Sequence, residues 1–226
     1  MSDTQTLSFL TASPKKQLEL IPELVKDSSG GLTILTEFLQ TNQPLVPNLV
    51  TAKIYQVLHQ LQTSEAQQLL DTYFPQGFIP LTSERNIDYQ PLAHLLLTQN
   101  WQEADTLTRV KMCELAGDAA IARKWVYFTE VQQFPSSDLQ TLNQLWYLFS
   151  EGKFGFAVQR KIWLGVGKDF DKLWPKIGWK NGNEWTRYPN AFTWDLSAPI
   201  GHLPLLNQIR GVRVIASLFA HPTWLE

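Results

Sequence analysis

Apolar residues in the first 80 positions recur every three or four residues, which is the spacing of one face of an α-helix. Three such stripes are Leu18, Ile21 and Val25; Leu32, Leu35 and Leu39; and Ile54, Leu58 and Leu61. Gly30 and Gly31 are typical of a turn between two helices. Ser64 and Gln67 have the spacing of a capping box that would start a further helix. The pattern predicts a bundle of short helices over residues 1–80.

Helical spacing of apolar residues recurs in several segments of residues 84–226. Asn100 is a residue type that often starts helices, and Gly117 is typical of the position after a helix end. Ser137 and Gln140 form a second candidate capping box. Strand-like alternation is brief, so the pattern predicts an all-α protein with at most a small hairpin.

Two stretches between the predicted helices, 117–135 and 174–199, are rich in aromatic residues and lack a helical period. The longer one contains Trp174, Trp179, Trp185, Tyr188, Phe192 and Trp194, with prolines and glycines between them. A connection of this length is uncommon in a compact domain unless it is a binding loop or is disordered. Because disordered segments are poor in aromatic residues, we predict a large aromatic binding loop. Alternation at 184–188 and 191–194 marks the candidate hairpin.

A further helix is predicted from Leu203 onward, because apolar residues recur there at steps of three and four. These residues are Leu205, Ile209, Val212, Ala216 and Phe219. A second face of this helix carries Asn207 and Arg210 one turn apart, with Arg213 a further turn along and rotated to one side. The aromatic loop is therefore predicted to run into a helix that offers an amide and two guanidiniums.

Composition narrows the class of protein. All nine tryptophans lie after residue 100, and we take this shift as a boundary between domains at 1–80 and 84–226. No apolar run approaches the roughly 20 residues needed to cross a bilayer. Cys113 is the only cysteine, which excludes an internal disulfide and fits a reducing, cytoplasmic compartment. Residues 152–213 hold ten Lys/Arg against four Asp/Glu, a net of +6 that would attract an anion.

Several longer runs of sequence resemble one known family. They are ELAG, YFTEVQQFP, LWPKIGWK, EWTRYP, FTWDLSAPIGHLPLLNQIRGVRV and HPTW. Together they extend over nearly all of residues 85–226. They resemble the genomes-uncoupled-four family, the tetrapyrrole-binding regulators of magnesium chelatase in chlorophyll synthesis.

The resemblance implies an all-helical core, shaped like a cupped hand, that binds protoporphyrin IX and Mg-protoporphyrin IX. It also implies a non-enzyme without a catalytic cofactor or nucleic-acid partner, which stimulates magnesium chelatase through the large porphyrin-binding (H) subunit. The segment before Pro14 lacks the Ser- and Arg-rich leader of plant members, which favours a cyanobacterial, cytoplasmic protein. Peripheral association with the thylakoid membrane stays open.

A porphyrin is a broad apolar plate with two carboxylates on one edge, so its site needs apolar walls and cations at the rim. We predict the walls from the two aromatic connections and the polar groups from the helix that follows them. The predicted ligand-binding residues are Ile121, Phe128, Val131, Trp185, Tyr188, Phe192, Asn207, Arg210 and Arg213. Arg210 and Arg213 would meet the carboxylates, and Asn207 would reach the porphyrin magnesium directly or through water.

Each of these residues also has a plain structural explanation. Core packing accounts equally well for any one aromatic, an ion pair with Asp195 for Arg210, and helix capping for Asn207. Trp146 and Trp163 lie in regular helical stripes and are assigned to the core.

Two other classes of function stay open. The aromatic loop could be a platform for a sugar or single-stranded nucleic acid, or the chain could be an enzyme that modifies a hydrophobic acid. Catalytic motifs are weak, however, because no elbow motif frames Asp195, Ser197 and His202. The histidines also lack the spacing of metal ligands.

Overall fold

The computed structural model describes residues 3–26, 30–75, 77–206 and 212–224. The chain divides into two compact units, Met1–Pro80 and Leu81–Glu226. Helices make up nearly all of the regular structure of the described residues, which confirms the all-α prediction.

The first unit consists of five short helices. They are α1 (Asp3–Leu10), α2 (Pro14–Lys26), α3 (Gly30–Thr41), α4 (Leu49–Leu61) and α5 (Ser64–Tyr73). Helix α2 packs against α3 and α4, and α4 packs against α5. The three predicted stripes supply the core, since Ile21, Leu35, Leu39, Ile54 and Leu58 are fully buried.

Two local predictions for the first unit are wrong. The cap of α5 is Thr63, whose hydroxyl accepts a hydrogen bond from the Ala66 N–H at 3.2 Å, so Ser64 is the first helical residue instead. Adjacent hydroxyl residues offer the same cap, and the extended backbone of Thr63 decides between them. Gly31 lies inside α3 rather than in a turn, and a Cβ there would lie 1.7 Å from the Leu24 carbonyl oxygen. The absence of a side chain at Gly31 therefore permits a close approach of α2 and α3.

The second unit contains the remaining elements. They are α6 (Gln90–Leu97), α7 (Trp101–Ala116), α8 (Asp118–Arg123), α9 (Phe128–Val131), α10 (Ser136–Phe149), α11 (Phe156–Gly165), α12 (Phe170–Lys176), β1 (Lys180–Asn181), β2 (Glu184–Trp185), α13 (Arg213–Phe219) and a 3-10 turn (Pro222–Trp224). Helices α6, α7 and α10 surround a core of leucines and aromatics that includes Trp146, as predicted. Trp146 also donates its indole N–H to the Thr108 hydroxyl at 2.9 Å. Helix α7 ends just before Gly117, as expected.

The capping box predicted for α10 is absent. The Ser137 hydroxyl donates to Glu84 Oε1 at 2.7 Å, and α10 begins at Ser136 after the cap residue Pro135, two residues earlier than a Ser137 cap would place it. A side chain that bonds a distant partner is no longer available as a cap, which sequence spacing alone does not reveal. The connection 117–135, predicted as irregular, contains α8 and α9, which are too short to show a helical period.

The long aromatic loop is present between α12 and residue 206. The predicted hairpin is small and lies early in the loop, where β1 pairs with β2 in antiparallel register. The stretch 191–194 is not a strand, because Phe192 packs its ring against His202 with 5.0 Å between ring centroids. His202 also fastens the loop through its two ring nitrogens, which bond the Ile177 carbonyl at 2.7 Å and the Thr193 N–H at 3.3 Å.

The helix predicted from Leu203 onward is wrong for residues 203–206 and is present as α13 at Arg213–Phe219, while residues 207–211 lie outside the described residues. Backbone groups of this segment bond other elements instead of one another. The Leu203 carbonyl accepts from the Gly155 N–H at 3.0 Å, and the Leu205 N–H donates to Asp105 Oδ1 at 2.6 Å. Because these distant partners hold the backbone, the apolar period of this segment does not produce a helix.

Candidate functional site

A cleft of about 640 Å³ lies within the second unit along one face of α7. The α7 wall carries Thr106, Arg109, Val110 and Cys113, which recur at helical spacing and so share that face. The opposite wall is the end of α8 and the turn after it, residues 121–126. Leu206 and Val214, the second residue of α13, complete the lining. This volume lies in the range of small-molecule sites.

The cleft exposes apolar side chains to solvent from both walls. Val110 is 46% exposed and Ile121 is 48% exposed, although each lies in a helix that also contains buried residues. Val126 and Cys113 extend the apolar surface more deeply, since both are buried. Apolar side chains that face each other across an open cleft gain burial when a ligand fills it.

The charges at the cleft favour an anion. Arg109 projects from α7, and Lys124 is an exposed residue on the opposite wall. Glu114 also lines the cleft, but both of its carboxylate oxygens accept hydrogen bonds from Lys111 Nζ, at 3.1 and 2.9 Å. Because Lys111 offsets Glu114 and the Asp105 carboxylate only partly offsets Arg109, the cleft keeps a net positive charge from Arg109 and Lys124.

Arg109 also connects α7 to the aromatic loop. Its Nη2 donates to the Tyr188 hydroxyl at 2.8 Å, and its guanidinium carbon lies 4.8 Å from the Tyr188 ring centroid. The same hydroxyl lies 3.1 Å from Thr106 Oγ1. Tyr188 is therefore held against two residues of the cleft wall.

Asp105 lies behind Arg109 with its side chain fully buried. Its Oδ2 is 3.6 Å from Arg109 Nη2, and its Oδ1 accepts from the Leu205 N–H. Burial raises the pKa of Asp105 to about 6, while the Leu205 hydrogen bond and the Arg109 charge act in the opposite direction. The carboxylate thus ties α7 to the segment that leads toward α13.

Arg123 shapes the opposite wall. Its Nη2 donates to both carboxylate oxygens of Glu130, at 2.7 and 2.6 Å, and Glu130 also accepts from the Tyr127 N–H at 2.7 Å. The guanidinium carbon lies 5.0 Å from the Trp125 ring centroid and 4.3 Å from that of Tyr127. These contacts hold the turn from Lys124 to Tyr127 between α8 and α9.

The structure brings four of the predicted ligand-binding residues to the cleft or to its edge. Ile121 lines the cleft and Tyr188 contacts its α7 wall. Arg213 is exposed beside the lining residue Val214, and its guanidinium carbon lies 5.5 Å from the ring centroid of Phe128. Phe128 thus lies close to the same edge.

The other predicted ligand-binding residues are placed differently. Val131 is fully buried, and Phe192 is buried against His202. Trp185 is 46% exposed, but it packs on Trp174 rather than lining the cleft. Two further residues, Asn207 and Arg210, lie outside the described residues.

The α7 wall was missed by reasoning from the sequence. The sequence predicts an inward stripe of Ala104, Leu107 and Leu115 for α7. A second stripe, Thr106, Val110 and Cys113, is spaced by four and three and was not followed. Apolar residues on a second face of a helix predict that this face also packs against another element or lines a site. This second stripe, with Arg109 beside it, is the signal that could have found the wall.

Other chemistry finds little support among the described residues. No group of three or more His, Cys, Asp or Glu there is arranged to hold a metal ion. Both ring nitrogens of His202 bond backbone groups, so the ring has none left to activate Ser197. No described helix has both the length and the apolarity needed to span a bilayer.

Comparison with known proteins gives matches over both units. The family model described as GUN4-like matches residues 82–222. A second family model, described as the ARM-like repeat domain of the GUN4 N terminus, matches residues 3–75.

Individual relatives agree with these matches. The chain is 54% identical over 216 residues to the Ycf53-like protein of Synechocystis sp. (strain ATCC 27184 / PCC 6803 / Kazusa), covering 95% of this chain and 93% of that protein. It is 37% identical over 145 residues to the chloroplastic tetrapyrrole-binding protein of Arabidopsis thaliana, covering 60% of this chain and 55% of that protein. The structure of GUN4 from Chlamydomonas reinhardtii matches with a TM-score of 0.61 and 38% identity, over 65% of this chain and 95% of that chain. These matches confirm the resemblance found in the sequence, and the chain belongs to the GUN4-like, or genomes-uncoupled-four, family.

Proposed function

We propose that this protein binds a tetrapyrrole in the cleft beside α7, with protoporphyrin IX and Mg-protoporphyrin IX as its ligands. The observation that carries the proposal is the pairing of exposed Val110 and Ile121 across the cleft with Arg109 and Lys124 at its rim. A porphyrin has the matching chemistry, because its faces are apolar and its two propionates lie on one edge. The name of the Arabidopsis relative, a tetrapyrrole-binding protein, gives independent support.

The roles of the cleft residues follow from their chemistry. Val110, Ile121 and Val126 would contact the faces of the macrocycle, with the ring of Trp125 beside them. Arg109 and Lys124 would meet the propionates, with Tyr188 holding the Arg109 guanidinium in place.

The remaining residues predicted from the sequence complete the proposal. Phe128 and Arg213 would act at the edge of the cleft, and Trp185 and Phe192 through the aromatic loop. For Asn207 and Arg210 the proposed contacts, with the magnesium and a propionate, rest on sequence position alone.

We propose further that the protein is not an enzyme. It would carry a porphyrin and stimulate magnesium chelatase by contact with the large H subunit, as a regulator of chlorophyll synthesis. The family membership and the cyanobacterial and chloroplast relatives support this role. The thylakoid surface is a proposed place for this encounter.

Titration of the purified chain with protoporphyrin IX tests the binding proposal. We expect saturable quenching of tryptophan emission, because Trp125 lies in the cleft lining, together with a shift of the porphyrin absorbance. The dimethyl ester of the porphyrin should bind about tenfold more weakly, since it offers no charge to Arg109 and Lys124. Saturable binding of an oligosaccharide or single-stranded DNA, without porphyrin binding, would favour the aromatic-platform function instead.

A chelatase assay tests the regulatory proposal separately. The wild-type chain should raise the rate of magnesium insertion by the purified chelatase, and a variant that no longer binds porphyrin should not. Porphyrin binding without any effect on the chelatase would contradict the regulatory role and leave the binding site intact.

A further inference from the structure

The first unit has a groove of its own, of about 1130 Å³, between α3 and α5. Its α3 wall runs from Leu32 to Gln40 and its α5 wall from Glu65 to Tyr73. Each wall is eight helical steps long, so the groove extends for about 12 Å. That length accommodates about two turns of a helix.

Apolar side chains form a partly open surface along the groove. Val25, Leu32, Leu61, Leu69 and Tyr73 all line it, and each is half-buried rather than buried. Val25, Leu32 and Leu61 are the end members of the three predicted stripes, whose other members Ile21, Leu35 and Leu58 are fully buried in the core. The groove therefore has apolar area left to bury against an occupant.

Two hydroxyls that line the groove can act only as hydrogen-bond acceptors toward an occupant. Thr36 donates its hydroxyl proton to the Leu32 carbonyl at 2.8 Å, and Thr72 donates its own to the Gln68 carbonyl at 2.6 Å. Both hydroxyls thus have only acceptor lone pairs to offer an occupant. The side-chain amides of Gln40 and Gln68, which also line the groove, can donate as well as accept.

The charge of the groove has one sign. Glu37 and Glu65 are exposed on opposite walls, and no Lys, Arg or His belongs to the described lining. A hydrogen bond from its own backbone N–H and another from the Ser64 hydroxyl lower the pKa of Glu65. Lys26, next to the lining residue Val25, is paired with Glu23 at 2.8 Å. Residues 1–80 carry four Lys/Arg against seven Asp/Glu, a net of −3.

We infer that this groove is a docking site for a basic, amphipathic helix of a partner protein. Arginine or lysine side chains of the helix would pair with Glu37 and Glu65, and its apolar residues would cover Leu61 and Leu69. The match of this unit to an ARM-like repeat domain fits the inference, because stacked helical repeats present concave surfaces that bind other proteins. The inference is independent of tetrapyrrole binding, since the groove lies wholly in the first unit.

Fluorescence anisotropy with a labelled helical peptide of about 12 residues tests the inference. The peptide carries leucines and arginines spaced one helical turn apart, and a matched peptide has citrulline, which is neutral, in place of each arginine. We expect the full-length chain to bind the arginine peptide saturably and the citrulline peptide about tenfold more weakly. The double variant E37Q/E65Q should lose a similar factor for the arginine peptide.

The control is the double variant E19Q/D71N, which removes the same charge from exposed positions of α2 and α5 that do not line the groove. It should bind the arginine peptide within about twofold of the wild type. Equal losses in both double variants would show diffuse charge attraction and overturn the inference, as would equal affinity for the two peptides or no binding of either. Circular dichroism should show that all variants are equally helical, because the four substituted acidic residues are exposed.

Discussion

Asp105 is a single residue on which both structure and pH response depend. Its pKa of about 6 in the folded state lies above the ordinary value of 3.8. At a pH between these two values, the Asp105 carboxyl is therefore protonated in the folded state and ionised in the unfolded chain. The protonated Asp105 side chain therefore contributes to the free energy of unfolding at acid pH, and this contribution is lost as the pH rises through about 4 to 6.

Replacing Asp105 with Asn should remove this loss. Asn keeps an acceptor for the Leu205 N–H but carries no charge. The free energy of unfolding of the variant, relative to that of the wild type, should therefore be about 2 kcal/mol higher at pH 7 than at pH 4.5. Urea unfolding of both proteins at the two pH values measures the difference. A constant difference would show that Asp105 has an ordinary pKa.

Residue chemistry could be read from the sequence where a residue acts through its type and neighbours along the chain. Ile121, predicted as a wall residue, lines the cleft, and Gly117 follows the end of α7 as predicted. Asp105 and Arg109 were not found, because their roles depend on Leu205 and Tyr188, which are 100 and 79 positions away in the chain. Pairs this far apart leave no local spacing pattern.

At the scale of elements, the contact of α2 with α3 depends on Gly31. Gly31→Ala should destabilise the chain by about 2 kcal/mol or more, because its methyl group would meet the Leu24 carbonyl and the backbone must move. Gly165→Ala, at the end of α11, is the matched control, since a Cβ there meets nothing within 4 Å. It should be neutral or stabilising by up to about 1 kcal/mol. Thermal unfolding that is equal in the two variants would argue against a close helix contact.

The turn between α8 and α9 should depend on Arg123. Arg123→Gln removes the two charged hydrogen bonds to the Glu130 carboxylate and the stacking of the guanidinium on Tyr127. We therefore expect faster amide hydrogen exchange at residues 124–128 and weaker porphyrin binding. Lys172→Gln is the control, because it removes a lysine from an exposed ion pair with Asp169. It should change neither property. Unchanged exchange in Arg123→Gln would mean that packing alone holds this wall.

The elements themselves were predictable to the extent that their stripes were long. Helices α2, α3, α4 and α7 followed from apolar spacing, whereas α1 was not predicted and α8 and α9 are too short to show a period. The segment 203–206 had the right spacing and is not helical, because Asp105 and the Gly155 N–H hold its backbone groups. Sequence periodicity does not register such tertiary partners.

At the scale of the whole molecule, the two units should be separable. All lining residues of the cleft lie in Leu81–Glu226, and the Chlamydomonas structure, 95% of which is matched, corresponds to 65% of this chain. A chain of residues 81–226 should fold alone and bind protoporphyrin IX within about twofold of the full-length affinity, because binding energy comes from the cleft contacts. Fluorescence titration of both chains measures this ratio. A loss of more than about tenfold would mean that the first unit takes part in binding.

The central claim is that the cleft beside α7 holds the tetrapyrrole, and one pair of variants tests it most directly. Val110→Asp places a carboxylate on the apolar wall, whereas Leu164→Asp makes the same kind of change at a comparably exposed position on α11, outside the cleft. Both should unfold within about 0.5 kcal/mol of the wild type, because surface substitutions cost little.

Titration with protoporphyrin IX should then separate the two variants. Val110→Asp should bind at least about tenfold more weakly, because the new carboxylate would be buried against the macrocycle, while Leu164→Asp should match the wild type. Wild-type affinity in Val110→Asp, or an equal loss in both variants, would place the tetrapyrrole outside this cleft.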